Sequence, residues 1–263
     1  MPIGPFERQI LRLLAVQRSP ESFVGGATVL HQADTSPRFS QDVDVFHDTA
    51  QSVAQCAAAD LQTLHEAGYE AEMVVAFPTF HRATIRRGQH ATKLEWVFDS
   101  AFRFFPVERD EELGWRLSFW DAATNKILAL ASRFEPRDLI DALFLHERHL
   151  SLGALVWAAA GKDAGLTPAF ILDQIRRTTH YTQPDLDRLA LAQPVTAADL
   201  HARRVAAVGQ AEALVHRLPP AEIGCLYLDE AGVPHTPDPD APAFSSWRRH
   251  YGCVGGAWPV VAG

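Results

Sequence analysis

The stretch from Phe23 to Phe46 limits the fold more than any other part of the chain. Phe23-Val24 reads as a short strand running into Gly25-Gly26, and Ala27 to Ala33 as a short helix. Asp34 to Ser40 is a loop rich in turn residues, and from Asp42 to Phe46 charged and apolar residues alternate as in a strand. Alternate side chains of a strand face the same way, so Asp42 and Asp44 share one face while Val43 and Val45 enter the core. Two carboxylates about 6–7 Å apart along a strand repel and need a cation between or beside them. The pair suits divalent magnesium bound through carboxylate oxygens, with phosphates completing its shell. Glycines between a strand and a helix let the backbone approach a ligand closely, and the helix N-terminus offers free N–H groups to phosphate. Taken singly, a D-x-D pair is also what a solvated strand face carries, and a Gly-Gly pair also marks an ordinary turn.

The surrounding pattern divides the chain. Phe6, Ile10, Leu13 and Leu14 predict a helix over 6–18, and Thr49 to Ala67 a long helix stopped by Gly68. Tyr69–Phe77, Phe80–Ile85 and Thr92–Phe98 read as strands, the last two joined by a turn at Arg86-Arg87-Gly88-Gln89-His90. From Phe119 to about Leu218 the pattern is helical, with segments near 120–134, 137–149, 151–160, 168–179 and 196–218 separated by glycine and prolines. Beyond it, Gly224 to Val233 reads as a small hairpin and the remainder as irregular. The expected fold is α/β (α+β): a small mixed sheet with helices over residues 1–115, a helical domain over 116–218, and a Pro-rich C-terminal extension over 219–263.

Composition excludes several classes. The chain has 263 residues, enough to bury a core without staples. Its net charge of −8 argues against a broad nucleic-acid-coating surface but leaves room for a local basic pocket. Cys56, Cys225 and Cys253 are scattered with no C-x-x-C, which indicates neither a zinc knuckle nor a disulfide scaffold. No apolar run reaches about 18 residues, and the N-terminus lacks the charged-then-apolar order of a signal peptide, so a cytoplasmic protein with no membrane partner is expected. Gly161-Lys162 lacks the flanking residues of a P-loop, and the histidines form no H-E-x-x-H.

The order strand, Gly-Gly, helix, loop, D-x-D resembles the polymerase-beta-like nucleotidyltransferase superfamily. It resembles most closely the AbiEii-type branch, toxins of abortive-infection and related toxin–antitoxin pairs. That branch reads G-G-T/A-x-L and R-x-S-x-D-h-D-h-[FW], with h apolar; here stand Gly25-Gly26-Ala27-Thr28-Val29-Leu30 and Arg38-Phe39-Ser40-Gln41-Asp42-Val43-Asp44-Val45-Phe46. A K-h-[DE] strand is matched by Lys93-Leu94-Glu95. The later K-x-x-A and R-x-x-x-R-D-h-x-D are matched by Lys126 to Ala129 and by Arg133 to Asp141. These motifs span residues 23–145. The third acid is Glu95 where the superfamily more often has Asp, and the stretch after about 220 matches nothing in the pattern.

The resemblance implies an Mg2+- or Mn2+-dependent enzyme that moves a nucleoside monophosphate from an NTP to a hydroxyl. The acceptor is expected to be RNA, such as a tRNA 3′ end, or another hydroxyl, and a cognate antitoxin is an expected partner. Asp42, Asp44 and Glu95 are the expected metal and catalytic acids, with Asp99 in reserve. On the strand 92–98, Lys93, Glu95 and Val97 share a face, and Leu94, Trp96 and Phe98 pack on the core. Glu95 then serves as a third ligand or as the base for the acceptor hydroxyl, or is a cross-strand acid paired with Lys93. Gly25, Gly26, Thr28 and Ser40 are expected around the nucleotide, Ser40 and Arg38 either on phosphate or simply fixing the loop. Lys126 either neutralises triphosphate charge or lies on a solvated helix surface. Asp138 orients Lys126 or Arg133, or caps its helix; Arg137 and Asp141 are supporting residues. His146 and His149 read as surface, Trp120 and Trp157 as core. The alternative is a catalytically silent relative acting as a binding or regulatory module.

Overall fold

The computed structural model describes residues 3–32, 36–40 and 42–259. Two compact units divide the chain: one of Met1–Ala101 with Pro106–Ala122, the other of Phe102–Phe105 with Ala123–Gly263.

The first unit opens with α1 (Pro5–Leu14), β1 (Ser22–Val24), α2 (Gly26–Leu30), β2 (Asp42–His47) and α3 (Ala50–Glu66). A meander follows, β3 (Glu70–Phe77), β4 (Phe80–Arg87) and β5 (His90–Phe98). Within the second unit lies β6 (Phe102–Arg103); β7 (Glu108–Asp110) and β8 (Gly114–Arg116) return to the first. One seven-stranded mixed sheet results, in the order β3-β4-β5-β2-β1-β8-β7. The strand carrying the two aspartates, β2, lies inside it, parallel to β5 and antiparallel to β1. Strands β6, β7 and β8, of two or three residues, are too short to show alternation, which is why they were not legible in the sequence.

One sheet face is closed by α1 and α3. The stripe Val53, Ala57 and Leu64 on α3 packs with Val43 and Val45 of β2, Leu94 and Trp96 of β5, and Ile85 of β4, all buried. Asp60 sits in the same stripe and is fully buried. A buried carboxylate needs donors, and Arg18 and the Trp96 Nε1–H (2.7 Å) supply them. Phe98, expected in the core with Leu94 and Trp96, is 41 % exposed at the end of β5. Trp120 is half-buried rather than core.

The chain leaves the first unit along α4 (Phe119–Ser132). The second unit continues with α5 (Pro136–Arg148), α6 (Leu152–Ala159), α7 (Pro168–Thr178), the short α8 (Gln183–Leu186) and α9 (Ala197–Arg217). Every residue of α6 is buried, as suits a helix apolar all round. Its Trp157 Nε1–H donates to the Glu222 carbonyl at 2.8 Å. His146, expected at the surface, is half-buried and its Nδ1 accepts the Leu152 N–H at 3.0 Å, capping α6.

Residues 225–254 differ from the expected hairpin. The strand β9 (Cys225–Leu228) pairs with β10 (Arg248–Tyr251), and β11 (Cys253–Val254) pairs with β6. After the single bridge Leu228↔Pro234, Pro237 and Pro239 have no N–H to give a ladder, so pairing passes to β10. Among the described residues no helix is long and apolar enough to cross a membrane.

Candidate active site

The glycine turn and the D-x-D strand are built against each other. Along β2, Asp42, Asp44 and Phe46 are half-buried on one face while Val43, Val45 and His47 are buried on the other. The Gly25 N–H donates to the Asp44 carbonyl at 3.0 Å. A Cβ on Gly25 would overlap the Phe46 ring, and one on Gly26 would overlap Asp44 Oδ2. Gly26 also adopts φ +61°, a conformation costly to any L side chain. The strand's own side chains therefore require both glycines, whatever approaches the backbone from outside.

The loop before the strand is fixed internally. Ser40 Oγ donates to the Asp42 carbonyl at 3.1 Å, and Ser36 Oγ to the Arg38 carbonyl at 2.9 Å. Arg38 is buried and its Nη1–H donates to the Phe39 carbonyl at 3.3 Å. Thr28 is buried within α2. Asp34, Thr35 and Gln41 of the expected loop and motif, with Ala33 at the end of the expected helix, lie outside the described residues.

Register across the sheet brings the third acid beside the pair. In the parallel ladder of β2 and β5, Asp44 is opposite Glu95 and Asp42 opposite Lys93. In the next ladder, Arg82 of β4 is opposite Glu95. Arg82 Nε–H donates to Glu95 Oε1 at 2.7 Å, so the cross-strand ion-pair partner of Glu95 is Arg82 and not the Lys93 of the alternative reading. Lys93 and Glu95 stand two residues apart on one strand, about 6–7 Å, whereas cross-strand neighbours approach to about 5 Å. Among the described residues no three His, Cys, Asp or Glu side chains are gathered as a metal-holding group. Asp42 and Asp44 still fit a hard divalent cation by donor type, since they offer carboxylate oxygens from one half-buried strand face. Asp99, just after β5, accepts the Ser100 N–H on its Oδ1 at 2.8 Å.

Lys126 and Asp138 meet in the second unit. The Lys126 side chain is 8 % exposed rather than on a solvated surface, and Nζ lies 2.8 Å from Asp138 Oδ1 and 3.1 Å from Asp141 Oδ2. Arg133 completes the network, with Nε 2.6 Å and Nη2 3.0 Å from the Asp138 carboxylate. Burial by itself would raise the Asp138 pKa, but Lys126 and Arg133 outweigh it and hold the carboxyl below its ordinary range. Asp138 thus pairs with both cations. Sequence reasoning passed over Arg82, although counting outward from the Gly88-Gln89 turn puts it opposite Glu95.

The structure shares the fold of solved proteins described as nucleotidyltransferases, in keeping with the AbiEii-type resemblance. It is similar to MenT4, a nucleotidyltransferase toxin from Mycobacterium tuberculosis H37Rv, at 17 % identity and a TM-score of 0.56 over 82 % of this chain and 83 % of that one. It is also similar to JHP933 from Helicobacter pylori, at 18 % identity and a TM-score of 0.54 over 80 % and 90 % of the two chains. No family model matches the sequence, and a search of curated proteins finds no match.

Proposed function

We propose that the protein is a metal-dependent nucleotidyltransferase that moves a nucleoside monophosphate from an NTP to an acceptor hydroxyl. The observation that carries this is the seating of the Asp44 carboxylate against Gly26, within a D-x-D strand of a nucleotidyltransferase fold. Asp42 and Asp44 would hold Mg2+ or Mn2+, which when bound supplies charge neutralisation for the triphosphate. Glu95, one strand away from Asp44, accepts the proton of the acceptor hydroxyl. The hydroxyl oxygen bonds to the α-phosphorus, the bond to the bridging oxygen breaks, and pyrophosphate leaves. Positioning and electrostatics do most of the work in such a reaction. An RNA end, tRNA included, is the acceptor we favour; the MenT4 likeness supports a toxin, and a cognate antitoxin is the partner its resemblance to the AbiEii-type branch suggests.

The test combines binding and transfer. Wild-type protein with Mg2+ or Mn2+ is titrated with each NTP, and transfer of labelled nucleotide to total tRNA is followed. Asp44→Asn should abolish divalent-dependent NTP binding and transfer while leaving the melting temperature unchanged or raised, because like-charge repulsion is relieved. Full transfer by Asp44→Asn would overturn the assignment. A second reading, a silent binding module, draws on the engagement of Glu95 by Arg82. It is favoured if NTP binds without any transfer.

A further inference from the structure

Arg82 is built into the sheet in an unusual way for a half-exposed arginine. Its Nε is tied to Glu95 Oε1 at 2.7 Å, and its guanidinium carbon lies 5.1 Å from the centre of the Phe80 ring. A carboxylate on the inner nitrogen and an aromatic ring against the plane fix the side chain, removing the rotamer freedom an exposed arginine normally keeps. Its two outer amino groups, Nη1 and Nη2, take no hydrogen-bond partner among the described residues, and the side chain is 38 % exposed. Those outer donors form the planar fork that matches two oxygens of a phosphate.

Its place on the sheet is as informative as its anchoring. Asp44, Glu95 and Arg82 stand in one row across β2, β5 and β4, on the face opposite the core. Two strand spacings, about 10 Å, separate the backbones of Asp44 and Arg82. Lys93, exposed, lies one pair along on the same face, opposite Asp42 on one side and Thr84 on the other. Between Met73 and Leu94 the chain carries Arg82, Arg86, Arg87 and Lys93 and no Asp or Glu, in a protein of net charge −8. The carboxylates attract cations at one end of the row and the cations attract anions at the other.

We infer that Arg82 is a phosphate-binding residue of the transfer site, held for that task by Glu95 and Phe80. This rests on the proposed nucleotidyl transfer and extends it. The ligand is a phosphoryl group, from either the NTP or the backbone of a single-stranded polynucleotide acceptor. Glu95 acts on that phosphate through Arg82, which it holds by Oε1 beside its proposed role towards the acceptor hydroxyl.

The experiment measures binding of each NTP with Mg2+ and, separately, of a fluorescent single-stranded oligoribonucleotide without NTP, by anisotropy at two salt concentrations. Arg82→Ala should weaken one of the two ligands by at least 10-fold, and Arg82→Lys should recover only part of the loss, since an ammonium lacks the fork. Glu95→Gln should weaken the same ligand, and Arg82→Ala combined with Glu95→Gln should be no worse than Arg82→Ala alone. A loss confined to NTP identifies the nucleotide's phosphates; a loss confined to the oligonucleotide identifies the acceptor's backbone. The inference is overturned if folded Arg82→Ala binds both ligands within twofold of wild type, if wild type binds neither, or if the Arg82 and Glu95 effects simply multiply. Failure of the transfer reading looks different: Asp44→Asn then keeps transfer, or wild type transfers nothing, while the oligonucleotide arm still reports on Arg82.

Discussion

Gly26 ties local backbone geometry to Asp44, an acid of the proposed metal site. At φ +61° an alanine pays about 1–2 kcal/mol of conformational strain, and its methyl must displace the Asp44 carboxylate. Because that carboxylate ends a flexible side chain, the fold can yield by turning Asp44 away. Gly26→Ala is therefore expected to lose about 1–2 kcal/mol in urea unfolding and to lose divalent-dependent NTP binding more than that strain alone explains. Unaltered metal-dependent binding in a folded Gly26→Ala protein would show that Asp44 is not seated by the turn. The G-G and D-x-D motifs were both legible in the sequence. Their mutual contact was not, because residues 26 and 44 meet only through the register of β1 on β2.

Between helices the main device is the buried network of α4 and α5. Lys126 on α4 faces Asp138 and Asp141 on α5, both fully buried, and Arg133 between the helices adds a second cation to Asp138. Removing one partner of a buried ion pair leaves an uncompensated charge and costs about 3–5 kcal/mol. Lys126→Met should therefore destabilise the protein by that order in chemical denaturation; a change below about 1 kcal/mol would refute a structural role. The contribution of Asp138 is present above its unfolded pKa, about 3.9, and is lost as pH falls through its lower folded value. The motif K-x-x-A with R-x-x-x-R-D-h-x-D marked these residues, but spacing alone could not tell a lysine facing solvent or substrate from one turned onto the next helix.

For the molecule as a whole, the clearest pH lever is His47, fully buried on the core side of β2 with neither ring nitrogen bonded among the described residues. Burial, and then the charge of Arg18, lower its pKa from 6.5 to about 4. Below pH 6.5 the unfolded chain binds a proton that the fold refuses, so stability falls as pH drops from 6.5 towards 4. His146 and His149 are lowered by burial as well and act in the same direction. Stability is expected to decline by about 2 kcal/mol from His47 alone between pH 7 and pH 5, and His47→Phe should flatten that part of the melting profile. An unchanged profile in the variant would show that other groups govern it. The sequence by itself determined the elements longer than a few residues, the two carboxylates on one strand face, and the change from mixed to helical pattern. Periodicity, caps and turn residues are local, and each is complete within a dozen positions. Only the tertiary structure decided that Glu95 turns to Arg82, that Lys126 turns to Asp138 and Asp141, and that β9 finds β10 across 20 residues. A charged side chain settles on whichever opposite charge lies within a few ångströms, and that depends on strand register and helix packing between distant segments.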